Sequence, residues 1–155
     1  MKKRGPFRSA IKQVIFGLCG NNDTTAEAGS GTSGIPEPLF SSTARDHAEH
    51  PRHYGPLEHY NGYARITGPC GDTMEYWLQV ENGTVVQIGF NTDGCGASHA
   101  CGSMAAYLAC GRARDQVKAI TQQDILDALG GLPESSQHCA LLAANTLHAA
   151  CEESI

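Results

Sequence analysis

Residues 74–90 constrain the fold of this chain more than any other stretch. Met74, Tyr76, Leu78 and Val80 alternate with Glu75, Trp77, Gln79 and Glu81, giving a strand with one chiefly apolar face. Asn82-Gly83 follows, a pairing that suits a two-residue hairpin because both central residues of the favoured turn need positive φ. Val86, Ile88 and Phe90 then carry the apolar face onto the return strand. A further strand is predicted at residues 62–67. From Gly96 the pattern turns helical: an Ala-rich helix to Cys110, a break at Gly111, and a short helix through Ile120. Thr121 caps a helix from Gln122 to Leu129, which Gly130-Gly131 stops, and Ser135 is placed to cap a last helix to about Glu153. Upstream, Ser42 or Thr43 is expected to cap a short helix that ends by His50, because Pro51 follows. Strands first and helices afterwards predict an α+β fold, a small antiparallel three-stranded sheet packed against helices.

At 155 residues the chain has room for one domain and an appendage. Residues 1–40 are expected to be a basic, flexible N-terminal extension and linker, and residues 41–155 the folded domain. The boundary rests on residues 21–38, which are poor in bulky apolar side chains and rich in Gly, Ser, Thr and Pro. Lys2, Lys3, Arg4, Arg8 and Lys12 fall in the first 20 residues, leaving six bases against sixteen acids for the rest. An acidic body of this kind does not wrap nucleic acid, which needs clustered Lys and Arg. No apolar run approaches the ~18 residues that span a membrane, so none is expected to. The Val14–Leu18 stretch is short for a secretory signal, and Leu18 replaces the small residue expected at a cleavage site. The expected location is cytoplasmic.

Seven cysteines, an odd number without a CxxC pair, argue against a disulfide framework and for metal binding or catalysis in a reducing compartment. Cys70 lies in Pro69-Cys70-Gly71-Asp72, a loop between predicted strands. Cys95 lies in Gly94-Cys95-Gly96, where a strand hands over to a helix, and Cys139 follows His138 in the first turns of the last helix. Glycines beside Cys70 and Cys95 let the backbone approach a bulky inorganic group. Helix N-termini near Cys95 and Cys139 are expected to favour the thiolate, the form that binds soft metals. Three thiolates leave one of four positions open, and Asp72 and His138 are the candidates to fill it. Such a mixed ligand set would hold a cluster less firmly than four buried cysteines. On spacing alone the same residues suit Zn²⁺ equally. Cys101, Cys110 and Cys151 are read as small buried apolar residues, and His47, His50, His53, His59 and His148 as surface or packing residues. His99 could reach the site from the helix after Cys95.

These segments together resemble the U-type iron–sulfur cluster assembly scaffold family, meaning IscU and the N-terminal domain of NifU. The likeness spans roughly residues 42–155. It rests on Asp46-His47 with His50-Pro51-Arg52-His53-Tyr54-Gly55, on Cys70-Gly71-Asp72, on Gly94-Cys95-Gly96, and on Leu132-Pro133 leading into His138-Cys139. The 43 residues between Cys95 and Cys139 lack the insertion typical of the SufU branch. The resemblance implies an IscU/NifU-N-like fold and a non-enzymatic scaffold and carrier. A cysteine desulfurase would supply persulfide sulfur, iron would join it, and the cluster would pass to recipient apo-proteins. Cys70, Cys95 and Cys139 would be cluster ligands and sulfur acceptors, with Asp72 governing lability and His138 beside the last cysteine. A [2Fe–2S] cluster is expected in preference to [4Fe–4S], with zinc possible in the isolated protein, as monomer or weak homo-oligomer. The family lysine ahead of the His-Cys pair is absent from Leu132-Pro133-Glu134-Ser135-Ser136, which argues against Hsp70-type chaperone recognition. The alternative is a zinc-dependent sulfurtransferase that takes persulfide from a desulfurase.

Overall fold

A computed structural model describes residues 40–154; the expected N-terminal extension and linker lie, but for Phe40, outside the described residues. Helix α1 (Ser42–Glu49) is followed by strands β1 (Gly62–Thr67), β2 (Thr73–Glu81) and β3 (Thr84–Thr92). Then come helices α2 (Gly96–Ala109), α3 (Arg114–Lys118) and α4 (Gln122–Leu129), a 3₁₀ turn (Glu134–Ser136) and helix α5 (Gln137–Glu153). The strands form one antiparallel sheet in the order β1-β2-β3, so the expected α+β fold is the one observed. Asn82 (φ 54) and Gly83 (φ 78) both take positive φ at the hairpin, as its twist requires.

One face of the sheet is the core. Met74, Tyr76, Leu78 and Phe90 are fully buried from β2 and β3, each contributing about 1.5–3 kcal/mol through burial. Helices α2 and α5 lie against this face and against each other, with α4 packed on both. The Tyr76 phenol donates to the Gly102 carbonyl at 2.8 Å, which satisfies a polar group in the core. Gly102 also lets α2 approach the sheet, since a Cβ there would stand 2.5 Å from the Phe90 ring.

Helix α1 is joined to α2 by a buried polar contact. His47 Nδ1 and Ser103 Oγ are 2.7 Å apart, and the Arg52 backbone N–H donates to the same hydroxyl at 2.8 Å. His47 is therefore a packing residue, its pKa lowered to about 4 by burial and by the nearby Arg52 charge. Arg52 also donates to Asp46 at 2.6 Å across the turn. His53 (φ 63) takes a left-handed conformation there, one that Asn, Asp and His adopt more readily than other side chains. The turn then reaches β3: the Phe90 N–H donates to the His53 carbonyl at 2.9 Å, and the Gly55 N–H to the Phe90 carbonyl at 2.7 Å. At the other end of β3, the Val85 N–H donates to Arg112 at 3.0 Å and its carbonyl accepts from Gly111 at 2.9 Å.

Two expected caps differ from those observed. The α1 cap is Ser41, whose Oγ accepts the Ala44 N–H at 2.9 Å, and Ser42 and Thr43 are helical. Ser135 does not cap the last helix; it sits inside the 3₁₀ turn that Pro133 opens, and α5 starts after Ser136 without a side-chain cap. Proline fixes φ and presets that tight turn, which overrides the preference of a serine two residues on.

Candidate metal-binding site

Three segments far apart in sequence meet at one end of the sheet. The β1–β2 loop turns tightly, with the Gly68 N–H donating to the Asp72 carbonyl at 2.8 Å and Gly71 at φ 94. The β3–α2 turn is tied to that loop. The Thr73 N–H donates to Asp93 Oδ1 at 2.8 Å, and Thr92 Oγ1 donates to the Thr73 carbonyl at 2.7 Å. Cys95 is the N-cap residue of α2 and is exposed. Cys139, in the first turn of α5, is 1% exposed. An Asp72 carboxylate oxygen, Cys95 Sγ and Cys139 Sγ lie within 4.8 Å of one another.

The donor set suits a soft metal. Ligand atoms around a tetrahedral ion with metal–sulfur bonds of ~2.3 Å stand ~3.8 Å apart, so small side-chain adjustments bring these three atoms onto one metal. Of the other expected residues, Cys70 is on the exposed loop, outside the 4.8 Å group. His138 is exposed, with Nε2 3.7 Å from Cys139 Sγ. His99 is likewise outside the group. Its Nδ1 is 3.0 Å from the Cys95 carbonyl and its ring centroid 5.5 Å from that of Tyr54.

One electrostatic expectation is corrected. The Cys139 thiol is not predisposed to ionise; burial pushes its pKa up to about 11. The Ser98 hydrogen bond works the other way but is outweighed, and the Cys95, Asp72 and Cys70 charges add to the rise. In the first turn of α5 desolvation is the largest influence on this thiol, and a metal must displace the proton as it binds. Cys101 is fully buried and burial holds its thiol well above the usual range, so it is the inert apolar residue expected. Cys151 is buried too, whereas Cys110 is half-buried and disulfide-bonded, which corrects its reading as a small buried apolar residue.

The sequence reading missed Ser98. Its side chain is fully buried, with Oγ donating to Asp72 Oδ2 at 2.9 Å and 3.4 Å from Cys139 Sγ. Its position three residues after Cys95 would place it on the same helix face, the signal that could have found it. Gly94 belongs to the same arrangement: a Cβ there would overlap the Ser98 hydroxyl and come within 2.5 Å of Asp72 Oδ2.

Residues 39–153 match the family model described as the NifU-like N terminal domain. The chain is 36% identical over 113 residues to the iron-sulfur cluster assembly scaffold protein IscU 1 of Archaeoglobus fulgidus, covering 72% of this chain and 74% of that protein. It is 32% identical over 116 residues to the scaffold protein IscU of Escherichia coli K12, covering 72% and 90%. Its backbone resembles the crystal structure of the N-terminal NifU-like protein from Brucella abortus, with TM-score 0.59 and 17% identity over 73% of this chain and 92% of that one. A putative scaffold protein for the SUF system from Fervidobacterium islandicum superposes equally well, at TM-score 0.59 and 17% identity over 72% and 96%. With nearly all its described residues matched and relatives above 30% identity across most of their own length, this chain belongs to the NifU-like N-terminal domain family, together with the IscU proteins.

Proposed function

We propose that this chain is a scaffold on which an iron–sulfur cluster is assembled and from which it passes to recipient apo-proteins. The observation that carries the reading is the meeting of Asp72, Cys95 and Cys139 from three separate segments. The names of the relatives point the same way. The cluster is cargo, and [2Fe–2S] is the form proposed. Cys70, Cys95 and Cys139 are its thiolate ligands, with Asp72 or His138 at the fourth position. Cys70 and Cys95 offer exposed thiols to a cysteine desulfurase carrying persulfide. A site open on that side and closed behind Cys139 suits delivery and release from one face.

The proposed role is that of carrier, not enzyme, although one relative, from Drosophila melanogaster, is named an assembly enzyme. Residues 41–155 form the scaffold domain and residues 1–40 an extension to it. Glu134-Ser135-Ser136 form the turn where the family lysine is missing, so delivery is proposed to proceed without an Hsp70-type chaperone. No helix among the described residues is long and apolar enough to cross a membrane, and the proposed location is the cytoplasm.

The test is anaerobic incubation with ferrous iron, cysteine and a cysteine desulfurase, followed by visible absorption and Fe, S and Zn analysis. A brown chromophore with acid-labile sulfide is expected, and it is expected to be lost in Cys70→Ala, Cys95→Ala and Cys139→Ala. Tightly held zinc with persulfide on one cysteine, and no labile sulfide, would refute the scaffold and favour sulfur transfer.

A further inference from the structure

We propose that Ser98 is a positioning residue that holds the Asp72 carboxylate turned towards Cys95 and Cys139, and so sets how firmly the site keeps its metal or cluster. The inference rests on the scaffold reading for its biological meaning, though not for its geometry. Asp72 sits at the end of a loop, and a carboxylate there is free to rotate into water unless something retains it. Ser98 supplies that restraint from the first turn of α2, donating to Oδ2 at 2.9 Å. Its own side chain is fully buried in a helix, so the donor is fixed. The bond leaves Oδ1 and the remaining lone pairs of the carboxylate for a metal.

Two further features show that the position is specific. The Ser98 hydroxyl carries one proton but has two acceptors within reach, Asp72 Oδ2 and, at 3.4 Å, Cys139 Sγ. It therefore links the oxygen ligand to the buried sulfur ligand. Gly94 closes the arrangement from the other side, because any side chain there would occupy the space of Asp72 Oδ2 and Ser98 Oγ. Hydrogen-bond partners of this kind orient ligands, and their loss typically lowers metal affinity by about 10–100-fold. Asp72, unlike a thiolate, is a weakly held ligand to a soft metal. The hydroxyl that keeps it in place thus adjusts the ligand governing release.

The test is an anaerobic Co²⁺ titration of the full chain and its Ser98→Ala, Asp72→Ala and double variants, with folding checked by circular dichroism. Alanine has high helix propensity and is smaller than serine, so Ser98→Ala in the first turn of α2 is expected to fold. Its Co²⁺ affinity is expected to fall by about 10–100-fold. Its thiolate-to-cobalt absorption should keep its intensity while the visible ligand-field bands move, as they do when an oxygen donor is lost. In the Asp72→Ala background the same substitution is expected to change nothing further. After desulfurase-driven assembly, the cluster lifetime in Ser98→Ala should shift in the same direction as in Asp72→Ala. Unchanged Co²⁺ affinity, or an equal loss with and without Asp72, overturns the assignment. Wild-type chain that binds Co²⁺ but accumulates no labile sulfide refutes the scaffold while the cobalt cycle still decides the role of Ser98. Wild-type chain that binds no Co²⁺ overturns both.

Discussion

Acid should weaken this fold through His47 as pH falls below neutrality. The residue is 6% exposed and bonded to Ser103, with Arg52 and Asp46 the charged groups facing it and the Tyr107 ring 6.0 Å away. Its pKa in the folded state is about 4, below the ordinary 6.5. As pH falls the unfolded chain therefore takes up the proton first, and the folded state loses ground. The contribution is intact above pH 6.5 and is lost as pH drops through the window from 6.5 to 4. Between pH 7 and pH 5 the linkage amounts to about 2 kcal/mol, an upper figure because water and salt screen the half-buried Arg52 guanidinium. Urea unfolding of the wild type and His47→Gln at pH 7, 6 and 5 isolates the effect, since every other titrating group is common to both. The wild type should lose about 1–2 kcal/mol more than the variant over that range. Parallel losses in the two proteins would refute the assignment of a buried neutral imidazole.

Three other substitutions test the packing and the site. Gly94→Ala should leave the fold in place but reduce Co²⁺ affinity at least about tenfold, read by titration, because the new Cβ drives Asp72 and Ser98 apart. Tyr76→Phe should destabilise the fold by about 1–1.5 kcal/mol in urea, through loss of the buried bond to the Gly102 carbonyl. Gly102→Ala should cost about 1–3 kcal/mol and shift the Phe90 ring signals in NMR spectra, since its Cβ would stand 2.5 Å from that ring.

The elements themselves were legible because each was written in local physics. The alternation through Val80, the Asn82-Gly83 turn and the Thr121 cap depend on neighbours in sequence, and each was found where expected. The cap of α1 was misplaced because adjacent hydroxyl residues compete and only one backbone conformation can win, and that of α5 because the turn opened at Pro133 takes up Ser135. The site was half legible. Asp72, Cys95 and Cys139 could be named, but their approach depends on three segments folding together. The raised pKa of Cys139 was not legible at all, because burial is a property of the packed helix and not of the residues beside it. Ser98 was overlooked for the same reason: its partner lies 26 residues away in sequence.

The two turns that clasp β3 have a consequence for how this protein meets others. An open strand edge is a template onto which another chain can add a strand. Here the outward-facing backbone is engaged near both ends, by His53 and Gly55 at Phe90 and by Gly111 and Arg112 at Val85. An incoming strand would have to strip one of these contacts before it could pair along the edge. Recognition along β3 is thereby left to side chains, whose contacts are short-ranged and easily broken. Strand addition would zip the partners together, whereas the proposed scaffold role, receiving a cargo and handing it on, requires that each partner be let go.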